Sequence, residues 1–206
     1  MTLRLAVLDY EAGNVRSAKR GFDAAGAEAF ITSDPAAARS AAGLVIPGVG
    51  HFASCLTNLR KAGLEDLVRE WIDAERPVFG ICVGMQLLYE HSEEGDTPGL
   101  GLLPGRVERF RGDLVVPHMG WDEIVPAEGS DDDSLLVGVV GERFYFVHSY
   151  YAVPDDHLHV VANCRYGEAD FPCLVREGSV VGTQFHPEKS GSAGARLLAN
   201  WVASLR

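Results

Sequence analysis

Short apolar runs alternating with helical patterns constrain the first half of this chain more than any other feature. Leu3–Asp9 is almost continuously apolar, as a strand covered on both faces must be. Asn14 is placed to cap a helix in which Val15, Ala18, Phe22 and Ala25 share a face and which Gly26 ends. Glu28–Thr32 reads as a second strand. Asp34-Pro35 reads as a cap with proline in the first helical turn. Leu44–Ile46 is a third strand, closed by Pro47-Gly48. Leu64–Ala74 is a helix, Pro77–Ile81 a fourth strand and Val83–Glu90 a helix. Strands alternating with helices predict βαβ units and hence a parallel sheet.

The second half changes character. Val107–Arg111, Glu123–Val125, Arg143–His148, Tyr151–Val153, His159–Asn163, Cys173–Arg176 and Val180–Gln184 are short strand candidates separated by turn residues. A final helix carries Leu197, Leu198, Trp201, Val202 and Leu205 on one stripe. A parallel core with an antiparallel extension is therefore expected. At 206 residues, one α/β domain over 1–206 can hold it. The run Asp131–Asp133 reads as a solvated loop.

Charge narrows the partners. With 29 acidic against 18 basic residues the net charge is −11, which argues against non-specific binding to nucleic acid or an anionic membrane. No stretch approaches the roughly 18 apolar residues of a membrane span. The N-terminal run lacks the layout of a signal peptide, so a cytoplasmic protein is expected. The four cysteines form no C-x-x-C pair and are expected as reduced thiols. Histidines and cysteines lack paired ligand spacing, so neither a metal nor another cofactor is expected.

Two glycine signals stand out. Gly48–Ala53 fits the loose dinucleotide pattern G-x-G-x-x-A, but it follows the third strand and lacks the acidic residue about 20 positions on. A backbone turn that aims an N–H at a reacting oxygen suits it better. Gly80–Gly84 is G-x-C-x-G between a strand and a helical pattern, the sulfur counterpart of the G-x-S-x-G nucleophile elbow. Flanking glycines relieve crowding at a sharp turn. Cys82 is expected to stand exposed at the carboxyl end of the sheet, its thiolate favoured by a helix N-terminus, with the Val83 N–H aimed at an oxyanion. Cys55, Cys164 and Cys173 lack that context and read as small core residues.

A thiolate needs a base, and the base needs an orienting group. Of the seven histidines, His186 ends a strand candidate and is followed by Pro187 and Glu188. Proline fixes the turn, so His186 and Glu188 can meet, the carboxylate setting the tautomer of the ring. His118 and His148 lie beside aromatic residues and are candidates for a cleft wall.

GICVGMQLL at Gly80–Leu88 with TQFHPEKS at Thr183–Ser190 resembles the class I, or triad, glutamine amidotransferases, over nearly the whole chain. Pro47–Gly50, Pro117–Trp121 and Phe144–Tyr150 resemble the glutaminase subunits of imidazole glycerol phosphate synthases within that family. The pattern departs at Asp122, where these proteins usually carry asparagine. The resemblance implies the family's flavodoxin-like three-layer sandwich, with a mostly parallel central sheet. It implies that Cys82 attacks the side-chain amide of L-glutamine, that His186 moves the protons and that Glu188 orients His186. The N–H groups of Val49 and Val83 would form the oxyanion hole, Val49 turning into it only when partner and ligand are bound. Gly50, Gln86, His148, Ser149 and Tyr150 would hold glutamine.

The same resemblance implies a heterodimer with a (β/α)₈-barrel cyclase subunit. Ammonia would pass through that barrel to N'-[(5'-phosphoribulosyl)formimino]-5-aminoimidazole-4-carboxamide ribonucleotide, giving imidazole glycerol phosphate and an aminoimidazole carboxamide ribotide on the route to histidine. Trp121, Tyr145 and Lys189 are the interface candidates. A glutaminase serving an anthranilate or GMP synthase would carry the same triad. A non-catalytic module would be expected to lack the cysteine or histidine, and a thiol peptidase would have no use for the glutamine-pocket motif.

Overall fold

The computed structural model describes residues 2–206. Chain order gives β1 (Arg4–Leu8), α1 (Val15–Ala24), β2 (Glu28–Thr32), α2 (Pro35–Arg39), β3 (Gly43–Gly48), α3 (Phe52–Lys61), α4 (Glu65–Asp73), β4 (Val78–Cys82) and α5 (Val83–Gln86). Then follow β5 (Tyr89–Ser92), β6 (Thr97–Pro98), β7 (Leu103–Arg109), β8 (His118–Pro126), β9 (Arg143–His148), β10 (Tyr150–Pro154), β11 (Val160–Tyr166), β12 (Ala169–Glu177), β13 (Val180–Thr183) and α6 (Gly191–Ser204).

The main sheet has nine strands in the order β2-β1-β3-β4-β13-β12-β11-β8-β9. It is parallel from β2 to β13 and antiparallel from β13 to β9. A second sheet of four strands runs β10-β7-β5-β6. Every residue of β3 and β4 is buried, as strands covered on both faces must be. Phe79 of β4 meets Phe22 of α1 and Trp201 of α6 edge-on, at centroid distances of 5.5 and 5.0 Å. Its neighbour Gly80 points to the other face, where a Cβ would lie 2.7 Å from Met85 Cα in α5. Helices therefore cover both faces, which is the expected three-layer arrangement. Among the described residues no helix is long and apolar enough to cross a membrane.

Several expectations need correction. The helix expected over Val83–Glu90 ends at Gln86, and Tyr89 already belongs to β5. Met85 and Leu87–Tyr89 are all buried, so hydrophobic periodicity had no polar face to read. Helix α3 was hidden behind the Gly48–Ala53 pattern. It buries Phe52, Cys55, Leu56 and Leu59 and is capped by the His51 ring, which accepts from Ala53 N–H at 3.2 Å. Asn14 makes no side-chain cap on α1 and sits at φ 60°. Asp133 is more than a solvated charge: it caps a 3₁₀ turn at Leu135 N–H and pairs with Arg176 at 3.0 Å. Trp121 lies within β8, opposite Tyr145, two residues before the strand start expected at Glu123.

Candidate active site

Parallel neighbours bring Cys82 and His186 together. β4 and β13 pair in register, Thr183 beside Ile81, so both chains leave the same end of the sheet. Cys82 is the last residue of β4 and takes φ 52°, ψ −115°, a conformation that L-residues rarely adopt. Glycines make that bend possible. A Cβ on Gly84 would lie 1.8 Å from the Ile46 carbonyl oxygen, and one on Gly182 would lie 2.4 Å from Met85. We expect Gly84→Ala to cost about 3 kcal/mol or more in a denaturant titration, because backbone cannot yield cheaply. Gly120→Ala, which meets nothing within 4 Å, should stay within about 0.5 kcal/mol of the parent.

Cys82 is 2% exposed, not open to solvent as expected from the elbow motif. β3 packs closely against the turn, since a Cβ on Gly48 would lie 2.4 Å from Gly84 N. The sulfur instead faces a cavity of about 250 Å³ that is also lined by Val49, Gly50, Val83, Gln86 and His186. His148, Ser149 and Tyr150 line it as well. Helix α5 is one turn long, so only its first N–H groups act on the sulfur. Val83 holds the first helical position, where its N–H has no intrahelical acceptor.

The imidazole is held from behind. His186 N–H donates to the Tyr145 carbonyl at 2.9 Å, and Pro187 opens a 3₁₀ turn over Pro187–Lys189. That turn brings Glu188 Oε1 to 2.8 Å from His186 Nδ1, both side chains being 1% exposed. A carboxylate accepts, so Nδ1–H donates and Nε2 is left for chemistry. Nε2 is buried without a hydrogen-bond partner among the described residues. Burial opposes charge on this ring. The negative charge of a Cys82 thiolate and the Glu188 carboxylate outweigh it and raise His186 to about 10. A charged sulfur and the carboxylate thus both favour the protonated ring. By contrast, burial pushes the Cys55 and Cys164 thiols up to about 11 and 12, which leaves them poor nucleophiles.

The Val49 N–H does not face the cavity. It donates to the Ala12 carbonyl at 3.0 Å, so in this conformation only Val83 of the two expected donors is free for an oxyanion. The peptide must leave Ala12 before it can serve.

Sequence reasoning missed three groups. Asn14 Nδ2 donates to Glu188 Oε1, so α1 helps hold the carboxylate. Glu94 lines the cavity and accepts from Phe52 N–H at 2.7 Å. Gln184 Nε2 lies 3.6 Å from Cys82 Sγ. None had a pattern of its own. Asn14 looked like a cap, and Gln184 lay inside a motif read for its histidine.

The far wall of the cavity is a hydrogen-bonded column. Tyr150 C=O accepts from His148 Nδ1 at 2.8 Å and from Gln86 Nε2 at 2.9 Å. His148 Nε2 must then accept from His118 Nδ1, 3.1 Å away, and His118 Nε2 faces Asp122 at 2.7 Å. The aspartate at the departing position therefore still meets the column, through His118 Nε2. Burial, together with the nearby His118 and His186, lowers His148 to about 3 against the pull of the Tyr150 carbonyl. Because this histidine is neutral when folded, its contribution to stability is complete above the unfolded value near 6.5 and is lost as pH falls towards 3. We expect urea titrations to show this residue removing up to about 1.4 kcal/mol per pH unit between about pH 6 and 4. His148→Gln should flatten that slope.

Trp121, Tyr145 and Lys189 form a patch outside the cavity. The Trp121 and Tyr145 rings lie 5.9 Å apart, Lys189 Nζ lies 5.8 Å from the Tyr145 ring, and Trp121 is 48% exposed.

This fold has counterparts. The family description "Glutamine amidotransferase class-I" matches residues 6–205, and the chain belongs to that family. Within it, the chain is 50% identical to "Imidazole glycerol phosphate synthase subunit HisH" of Halobacterium salinarum, covering 96% of this chain and 92% of that one. It is 48% identical to the protein of the same name from Mycobacterium bovis, over 98% of both chains. A solved structure described as a glutamine amidotransferase superposes with TM-score 0.75 at 24% identity, over 98% of this chain and 97% of that one, and shows the common fold.

Proposed function

We propose that this chain is the glutaminase subunit of an imidazole glycerol phosphate synthase, a single glutamine amidotransferase domain over residues 1–206. Its work is to release ammonia from L-glutamine and pass it to a (β/α)₈-barrel cyclase subunit in a heterodimer. The observation that carries the reading is the His186–Glu188 pair sharing one cavity with Cys82. Relatives of that name, alike over nearly their full length, support the choice of partner. Four free, buried cysteines suit the cytoplasm.

In this mechanism the Cys82 thiolate attacks the side-chain carbonyl carbon of glutamine. The oxyanion is met by Val83 N–H and, once turned, by Val49 N–H. Imidazolium His186 gives its proton to the departing ammonia, leaving a γ-glutamyl thioester. The now neutral ring takes a proton from water, which attacks the thioester and releases glutamate and thiolate. Glu188 holds the ring throughout. Gly50, His148, Ser149 and Tyr150 shape the glutamine site. Both hydrogens of the Gln86 amide group are engaged by Tyr150 C=O and Gln184 Oε1, so it offers glutamine its own oxygen. Trp121, Tyr145 and Lys189 lie over the His186 turn and form the docking face at the ammonia exit.

Mixing the purified chain with a cyclase subunit and that subunit's ribonucleotide substrate tests the reading. Glutamine-dependent formation of imidazole glycerol phosphate supports it. Stimulation only by an anthranilate or GMP synthase component would transfer the same chemistry to another partner.

A further inference from the structure

We propose that Gln184 holds the Cys82 sulfur as its thiolate, through a carboxamide N–H whose direction is locked by hydrogen bonds running back to the Tyr150 carbonyl. The lock follows from counting donors and acceptors. Tyr150 C=O can only accept, so Gln86, 2.9 Å away, must present its amide nitrogen. The same nitrogen lies 2.9 Å from Gln184 Oε1, so that oxygen accepts. Gln184 is left with its nitrogen towards Cys82 Sγ, at 3.6 Å.

Turning Gln184 over would set two amide groups donor to donor and place an oxygen against the sulfur. Turning Gln86 as well would place its oxygen against the Tyr150 carbonyl. Neither error can be repaired by water, because Gln86 is 2% exposed and Gln184 fully buried. The second lone pair of Tyr150 C=O is used by His148 Nδ1, and Gln184 N–H is fixed to the Cys173 carbonyl at 2.9 Å. The sulfur therefore always meets a donor. This matters most in the second half of the reaction. As water attacks the thioester carbonyl the C–S bond breaks, and sulfur leaves with the electron pair. At that moment His186 carries the proton from water, and the Gln184 N–H receives the returning thiolate.

The inference rests on Cys82 being the nucleophile, and the test separates the two claims. Alkylation of Cys82 by iodoacetamide in the full chain, mapped by peptide mass spectrometry from about pH 5 to 9, reads the thiolate directly. In Gln184→Met, and in Gln184→Glu, the thiolate titration should move up by about one pH unit. Alkylation near neutral pH should then fall about tenfold, with the alkaline plateau retained. Identical profiles for parent and variants would overturn the role of Gln184 alone. A parent Cys82 that resists alkylation throughout would bring down the proposed nucleophile too. A second measurement needs no change at Gln184. Its side-chain amide proton resonances should shift on Cys82→Ala, and unmoved resonances would overturn the inference.

Discussion

Cys82→Ala should lower glutamine-dependent product formation by the complex at least about 10⁴-fold, since no other group can form the thioester. Synthesis from added ammonium salts should persist, because the cyclase chemistry belongs to the partner. The expectation is structural as well as chemical. Cys55, Cys164 and Cys173 are all buried, and only Cys82 lines the cavity that His186 shares. Alanine removes one sulfur from the cavity wall, so the proposed docking face at Trp121, Tyr145 and Lys189 is left intact. Assays with glutamine and with ammonium on one preparation give both readouts. Loss of both activities in an intact complex would contradict delivery of ammonia from one chain to the other.

The second large effect concerns the isolated chain. With Val49 N–H bonded to Ala12 C=O, the oxyanion would be met by the Val83 donor alone. Removing one such donor typically costs about 10²–10³ in kcat. The free chain should therefore be a poor glutaminase, and the cyclase with its nucleotide bound should raise kcat by about that factor. KM should change less, because the groups proposed to hold glutamine already line the cavity. Full activity in the free chain would show that the Val49 peptide needs no partner to turn.

What was legible in the sequence is what local chemistry dictates. Glu28–Thr32 and Arg143–His148 stand where their residues put them, because alternation and turn signals bound them closely. That Cys82, His186 and Glu188 meet was legible because their spacing carries its own mechanics: glycines around Cys82, and a proline between His186 and Glu188. Contacts between distant segments left no local trace. Nothing in the Asn14 region announces a bond to Glu188, and nothing in TQFHPEKS announces that Gln184 reaches the sulfur. The direction of the Val49 peptide was also hidden, since either face of a glycine-flanked peptide satisfies the sequence.

The most direct test of the account is to treat the complex with a glutamine-like electrophile and locate the adduct by peptide mapping. A stoichiometric adduct on Cys82 that forms as glutaminase activity disappears, and that is slowed by added glutamine, is the predicted result. Activity lost with the adduct on another residue, or a Cys82 left unmodified while inactivation is complete, would contradict it.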